Sequence, residues 1–170
     1  ETPFVSGWVL EAVAEHLEAV TFGEIQNLLV NVFPGAMKSL LTNVFFPAWE
    51  WGPMKLSHLR YVTFSYSSTL TERDNLKFRD LVKSPEFQNM YGSEVVLRQE
   101  GSTKVSNAKQ GWKLASSVGG TTTGQRGNRA ICDDLNSVRE SESQTVIDET
   151  NRWFRESLSS RLNNIKMDAK

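Results

Sequence analysis

Two pairs of neighbouring residues carry the types that nucleotide chemistry needs. Lys38 and Ser39 follow an apolar run and a short turn in the stretch NLLVNVFPGAMKSLL, residues 27–41. Asp133 and Asp134 close a second apolar run, RAICDDL, residues 129–135. A lysine at the start of a helix can set its ammonium on terminal phosphates, and the hydroxyl of the next Ser or Thr can reach Mg2+. An acid at the end of a strand can hold the same Mg2+ through its water shell, because hard cations take oxygen ligands. A second acid beside it can orient or deprotonate an attacking water. Asp133 suits the first role and Asp134 the second. Each pair also has a plainer explanation. Helices often open with Lys-Ser, and two acids after a strand often cap a turn.

The match to the phosphate-loop pattern GxxxxGK[ST] is incomplete. Val32 and Met37 fill the two glycine positions, and Gly35 sits inside the loop after Pro34. A side chain at Met37 restricts the backbone and crowds an approaching phosphate. The expected phosphate cradle is Pro34, Gly35, Ala36, Met37, Lys38 and Ser39. Ser39 and Asp133 are the expected metal-ligating residues, and Lys38 and Asp134 the catalytic pair. The two pairs gain weight together. A parallel sheet gathers its loops along the carboxyl edge of its strands, and ligands bind there.

Positioning them requires alternating strands and helices. Residues 8–20 have the spacing of an amphipathic helix, with Trp8, Val9, Val13, Leu17 and Val20 near one face, ending at Gly23. IQNLLVNV (25–32) predicts a buried strand. MKSLLTNVFFPAW (37–49) predicts a helix that stops near Pro47. LRYVTFSYS (59–67) predicts a strand and residues 71–83 a charged amphipathic helix. Ser84, Pro85 and Glu86 look like a cap opening a short helix. EVVLRQ, TKVSN and GWKLASSV predict three short strands, GGTTTGQRGN a loop, RAICDD a strand, and residues 143–163 a final helix anchored by Val146, Ile147, Trp153, Leu158 and Leu162. The pattern predicts one α/β domain of three layers, with a mainly parallel central sheet and added antiparallel strands.

Composition narrows the classes. The chain has 170 residues, 39% of them hydrophobic, which suits a folded domain with a real core. No apolar run is long enough to span a membrane. The opening ETPFVSGWVL has no basic start and no initiating Met, so the chain is expected to be a piece of a longer protein. Cys132 is the only cysteine, which fits a reducing, cytoplasmic setting. His16 and His58 stand alone, as surface or packing residues do. Net charge is −1, but between Val95 and Arg129 the residues Arg98, Lys104, Lys109, Lys113, Arg126 and Arg129 face only Glu100. That excess is either a phosphate-facing surface or a solvated hairpin face.

Across nearly its whole length the chain resembles the large terminase subunit of tailed bacteriophages. GWVLEAVAEHLEAVTFGEIQNLLVNVFPGAMKSLLTNVFFPAWEW is similar to the segment leading through that family's variant phosphate loop. VTFSYSSTLTERDNLKFRDLVKSPEFQNMYG is similar to the strand and helix that follow, WKLASSVGGTTTGQRGNRAICDDLNSVRESES to the approach to the Mg2+-binding acids, and WFRESLSSRLN to the next helix. The resemblance implies a P-loop NTPase-type domain with ATP and Mg2+ as cofactors, powering DNA packaging into a capsid. It implies double-stranded DNA held by its backbone, a portal protein, a small terminase subunit and a homo-oligomeric ring as partners. Lys38 would grip phosphates, Ser39 and Asp133 would hold Mg2+, and Asp134 would stand at the catalytic carboxylate. Trp8 would lie toward the adenine.

The chain departs from the family in three ways. Phe33 stands where a second proline is common. Gly35 and Met37 stand where many members carry Arg and Gly, which leaves an arginine role open to Arg73, Arg79, Arg126 or Arg129. The family's next strand and its nuclease domain are not in this sequence, and no carboxylate cluster for cutting DNA is visible. The alternatives are a degenerate prophage remnant that binds nucleotide weakly or not at all, another P-loop DNA motor, and an α/β binding domain without nucleotide.

Overall fold

The computed structural model describes residues 6–120 and 124–163. Residues 121–123, inside the expected loop of 119–128, lie outside the described residues.

One five-stranded mixed sheet organises the chain. Its strands are β1 (Arg60–Ser65), β2 (Leu97–Glu100), β3 (Lys104–Asn107), β4 (Trp112–Ser117) and β5 (Arg129–Cys132), in the order β2-β3-β4-β1-β5. β1 pairs in parallel with both β4 and β5, while β2, β3 and β4 pair antiparallel. The expected parallel centre with added antiparallel strands is therefore present. The carboxyl ends of β1, β4 and β5 share one edge, where Ser65, Ser117 and Asp133 lie.

Helices cover both faces, giving the α/β domain its layers. α1 (Trp8–Thr21), α2 (Lys38–Leu40), α3 (Phe46–Trp51), α4 (Ser68–Lys83) and α5 (Pro85–Tyr91) contribute to one core with Val20, Val44, Phe46, Trp51, Phe78, Val82 and Phe87, against Tyr61 and Val105 of the sheet. On the other face α6 (Gln144–Trp153) and the turns after it bring Leu158 and Leu162 against Val62, Phe64 and Ala130. The alternation of Tyr61, Val62 and Phe64 between the two cores is the period-two geometry of a strand buried on both sides.

The expected strand at 25–32 is not one. After α1 the chain runs as irregular extended backbone, with Leu29 93% exposed. A strand exists only where a neighbour offers its own backbone groups. β5 is the sheet's edge on this side, and a cavity of about 430 Å³ separates it from residues 27–30. The helix expected to stop near Pro47 instead continues to Trp51. Pro47 has no N–H for the carbonyl four residues back, and its ring would crowd it. The chain answers with a π turn, Leu41–Phe45, in which Phe46 N–H donates to the Leu41 carbonyl. The last expected helix is likewise divided, with α6 followed by a π turn at Phe154–Leu158 and a 3-10 turn at Ser159–Arg161. The cap at Ser84 is as expected, its hydroxyl accepting from Phe87 N–H at 3.3 Å.

The expected basic face is broken up. Lys113 is fully buried, donating to Asn75 Oδ1 at 2.6 Å and lying 5.8 Å from the centre of the Phe78 ring. Asn75 also donates to the Ser102 and Thr103 carbonyls, which ties α4 to the turn between β2 and β3. Arg129 is buried too. Lys109 pairs with Glu94, and Lys104 lies over the Trp112 ring. Arg98 and Arg126 are exposed.

Burial pushes the Lys113 ammonium from its usual 10.5 down to about 7, against the opposing charge of Asp74. Between about pH 7 and 10.5 the unfolded lysine holds a proton that the folded one has lost. Stability therefore rises with pH across that window and is lowest below it. Urea unfolding from pH 6.5 to 9.5 should show the rise, and Lys113→Met should flatten it.

Candidate functional site

The helical run from Lys38 to Trp51 and the strand β5 are antiparallel neighbours, joined at both ends. At the carboxyl edge of the sheet, Lys38 Nζ lies 2.9 Å from Asp133 Oδ1 and 3.2 Å from Asp134 Oδ1, although Asp134 is 96 residues away in sequence. At the other end Arg129 donates to Glu50 at 2.7 Å. Glu50 is fully buried and also accepts from Thr21 Oγ1 at 2.9 Å and from the Tyr61 hydroxyl. One carboxylate thus ties α1, α3, β1 and β5. Burial, reinforced by the Glu50 charge and hydrogen bond, holds the Tyr61 hydroxyl well above its ordinary pKa, with Arg129 opposing.

The loop before Lys38 takes a glycine's shape at two positions. Gly35 has φ 90°, and Met37 sits in the left-handed region at φ 55°. A non-glycine residue there costs about 1–2 kcal/mol. The turn closes through Ala36 N–H to the Phe33 carbonyl at 3.3 Å, and Leu41 N–H donates to the Met37 carbonyl at 2.9 Å. Met37 thus keeps a conformation that suits glycine. Asp134 is also left-handed, at φ 47°, and its carbonyl accepts from Tyr66 N–H at 2.9 Å and Ser65 Oγ at 3.2 Å. Asp133 N–H donates to the Phe64 carbonyl at 2.8 Å. The end of β1 therefore fixes both acids.

The two acids stand in different surroundings. The Asp133 side chain is 12% exposed and that of Asp134 62%. Asp133 Oδ2 also accepts from Asn43 Nδ2 at 3.3 Å. The partial burial of Lys38 opposes its charge, but the hydrogen bonds and charges of Asp133 and Asp134 outweigh it and raise the ammonium above its ordinary pKa.

Lys38 and Asp133 both line the 430 Å³ cavity beside β5, together with Leu17, Val20, Thr42 and Phe46. Phe33 and Met37 do not line it, and Phe33 is 64% exposed. Pro34, Gly35, Ala36, Ser39 and Asp134 also lie outside its lining, as does Trp8, which is exposed. Ser39 is half-buried in the same turn as Lys38. Of the four candidate arginines, Arg73 pairs with Asp74 at 2.9 Å, and this bond chiefly raises its pKa, with a contribution from the charge of Asp133. Arg79 pairs with Asp80 at 2.7 Å, Arg129 with Glu50, and Arg126 is exposed in the loop before β5. His16 and His58 are exposed.

Among the described residues, no three His, Cys, Asp or Glu side chains gather into a metal-binding group. Mg2+ keeps several waters and binds through one or two carboxylates plus substrate phosphates, a role that the carboxylates of Asp133 and Asp134 could serve. Asn43 and Glu50 were missed by sequence reasoning. Asn43 stands four residues after Ser39, the spacing of one helix face, and Glu50 is an acid enclosed in the aromatic stretch FFPAWEW. No protein-family model matches the chain, and no curated protein matches it. No helix among the described residues is long and apolar enough to cross a membrane.

The two ion pairs should behave differently. Lys38 is partly exposed, Asp134 is open to solvent, and the more enclosed Asp133 keeps its hydrogen bond from Asn43, so Lys38→Met should cost clearly less than the lower pair, on the order of 1 kcal/mol. Arg129→Met leaves Glu50 charged and buried with a lost partner, and should cost about 3–5 kcal/mol. Urea titration of both variants checks the contrast.

Proposed function

We propose that this chain is the ATP-binding and ATP-hydrolysing domain of a DNA-packaging motor, of the kind found in the large terminase subunit it resembles. The observation that carries the reading is the meeting of Lys38 and Asp133 at 2.9 Å at the carboxyl end of the parallel strand β5. A lysine at a helix start, a following serine and two acids at a strand end form the donor set for a Mg2+-bound triphosphate. Lys38 binds the phosphates, Ser39 and Asp133 take the cation, and the exposed Asp134 orients water once Lys38 has turned from it to the phosphates. In this reading Arg73 is the arginine best placed to respond to charge at Asp133.

The partners follow from the same resemblance: double-stranded DNA, a portal protein, a small terminase subunit and a ring of further copies, in the host cytoplasm. Lys113 and Arg129 are buried and take no part in DNA contact, and Lys109, though exposed, is paired with Glu94, so Arg98 and Arg126 are the exposed cations of that stretch chosen for the test. In the ring-forming protein, Arg98→Ala with Arg126→Ala should lower DNA affinity and shrink its salt dependence, by about one unit of log–log slope for each phosphate no longer neutralised. An unchanged salt slope would remove this surface from the account.

A second reading is a nucleotide module of reduced affinity. It is favoured by the irregular backbone at 25–32 and by the side chain of Met37 in a glycine conformation.

Thermal shift with Mg2+-ATP on the chain and on Lys38→Ala tests both. Ligand at about 100 times its dissociation constant stabilises by about 2.7 kcal/mol. A shift that Lys38→Ala abolishes is the expected result. A folded wild type with no shift favours the second reading.

A further inference from the structure

Asp133 has two side-chain partners among the described residues, one on each oxygen. Lys38 holds Oδ1 at 2.9 Å and Asn43 holds Oδ2 at 3.3 Å. These holds differ in kind. Lys38 is partly exposed at the head of the helical run, on a long flexible stem, and its ammonium is also shared with Asp134. Asn43 is 2% exposed and sits in the π turn, on a short stem fixed by the packing around Val44 and Phe46.

The amide of Asn43 is only half used. Its Nδ2 donates to Asp133, while its Oδ1 is buried and accepts nothing. A buried acceptor without a partner is rare in a folded protein and signals a group reserved for water, an ion or a second state. It lies beside the acid expected to meet a cation.

We propose that Asn43 is a positioning residue that keeps Asp133 aimed at the cation when Lys38 leaves for phosphate, with Asn43 Oδ1 accepting a hydrogen bond from a water of that cation. The inference rests on the ATP reading of the site. In this structure Lys38 and Asn43 hold the carboxylate together. A phosphate draws the ammonium away from Oδ1, which frees that oxygen for the cation's water shell. Asn43 then holds Asp133 by Oδ2, and a water entering beside Asp133 supplies the donor that Oδ1 lacks. An outer partner of this sort affects metal affinity more than nucleotide affinity.

The test separates nucleotide binding from its metal dependence. ATP affinity is measured with EDTA and with Mg2+ on wild type, Asn43→Ala and Asn43→Ser. The loss should be confined to the Mg2+-dependent part, with the enhancement by Mg2+ falling about tenfold or more in Asn43→Ala and less in Asn43→Ser. A purely structural role would weaken binding equally in both media or lower the melting temperature alone. An unchanged Mg2+ enhancement in either folded variant overturns the inference and leaves the ATP reading standing. A wild type that ignores ATP in both media overturns the ATP reading and this inference together. Should neither variant fold, the side-chain amide resonances of Asn43 in wild type decide. They should shift when Mg2+ is added to the ATP-bound protein, and unmoved resonances would sink the proposal.

Discussion

The buried carboxylate of Glu50 is the constraint on which the arrangement depends. It sits at the far end of the helical run that begins with Lys38, and its partner Arg129 sits at the far end of the strand that leads to Asp133. Helix and strand are thereby locked at the bottom before they meet at the top. Taking two charges out of water is expensive, and a buried pair returns the cost only with good geometry and further hydrogen bonds. Glu50 has both, with Thr21, Tyr61 and Arg129 all donating to it. The pair is best understood as setting position, because an apolar substitute would fill the space without fixing the register of helix against strand.

The upper pair is built on the opposite principle. Lys38 and Asp134 lie nearer solvent, where an ion pair contributes little to stability and can be exchanged at little cost, and Asp133 beside them keeps a second hold from Asn43. A lysine that must release one partner to take another belongs in such a place. The left-handed backbone at Met37 and Asp134 adds strain on both sides of the same gap. Strain of this kind persists only where the surroundings over-determine it, and it collects at sites that do work.

Much of this could be read from residue types and order. The meeting of Lys38 with Asp133 was legible in part: the second apolar run is a parallel strand that delivers Asp133 to the carboxyl edge, while the first, ahead of Lys38, is not a strand. β1, β4, β5, α4 and the cap at Ser84 were legible from period and capping. The run at 25–32 was not, because apolar content marks burial, while a strand also requires a neighbour, and β5 stands across a cavity from it. Pro47 marked a stop that the π turn absorbs. Lys113 counted as surface charge because a charge tally ignores strand position. It lies between Trp112 and Leu114 in a strand paired on both sides, where any side chain faces a core. Glu50 and Asn43 were invisible for a related reason, since their roles depend on residues far away in sequence.

The most direct test of the account is a structure of this chain with Mg2+ and a non-hydrolysable ATP analogue. Lys38 Nζ should leave Asp133 for a phosphate oxygen, Asp133 should turn to the cation's water shell, and the Glu50–Arg129 pair should stay where it is. A nucleotide bound elsewhere, or a Lys38 still paired with Asp133 while nucleotide is bound, would contradict it.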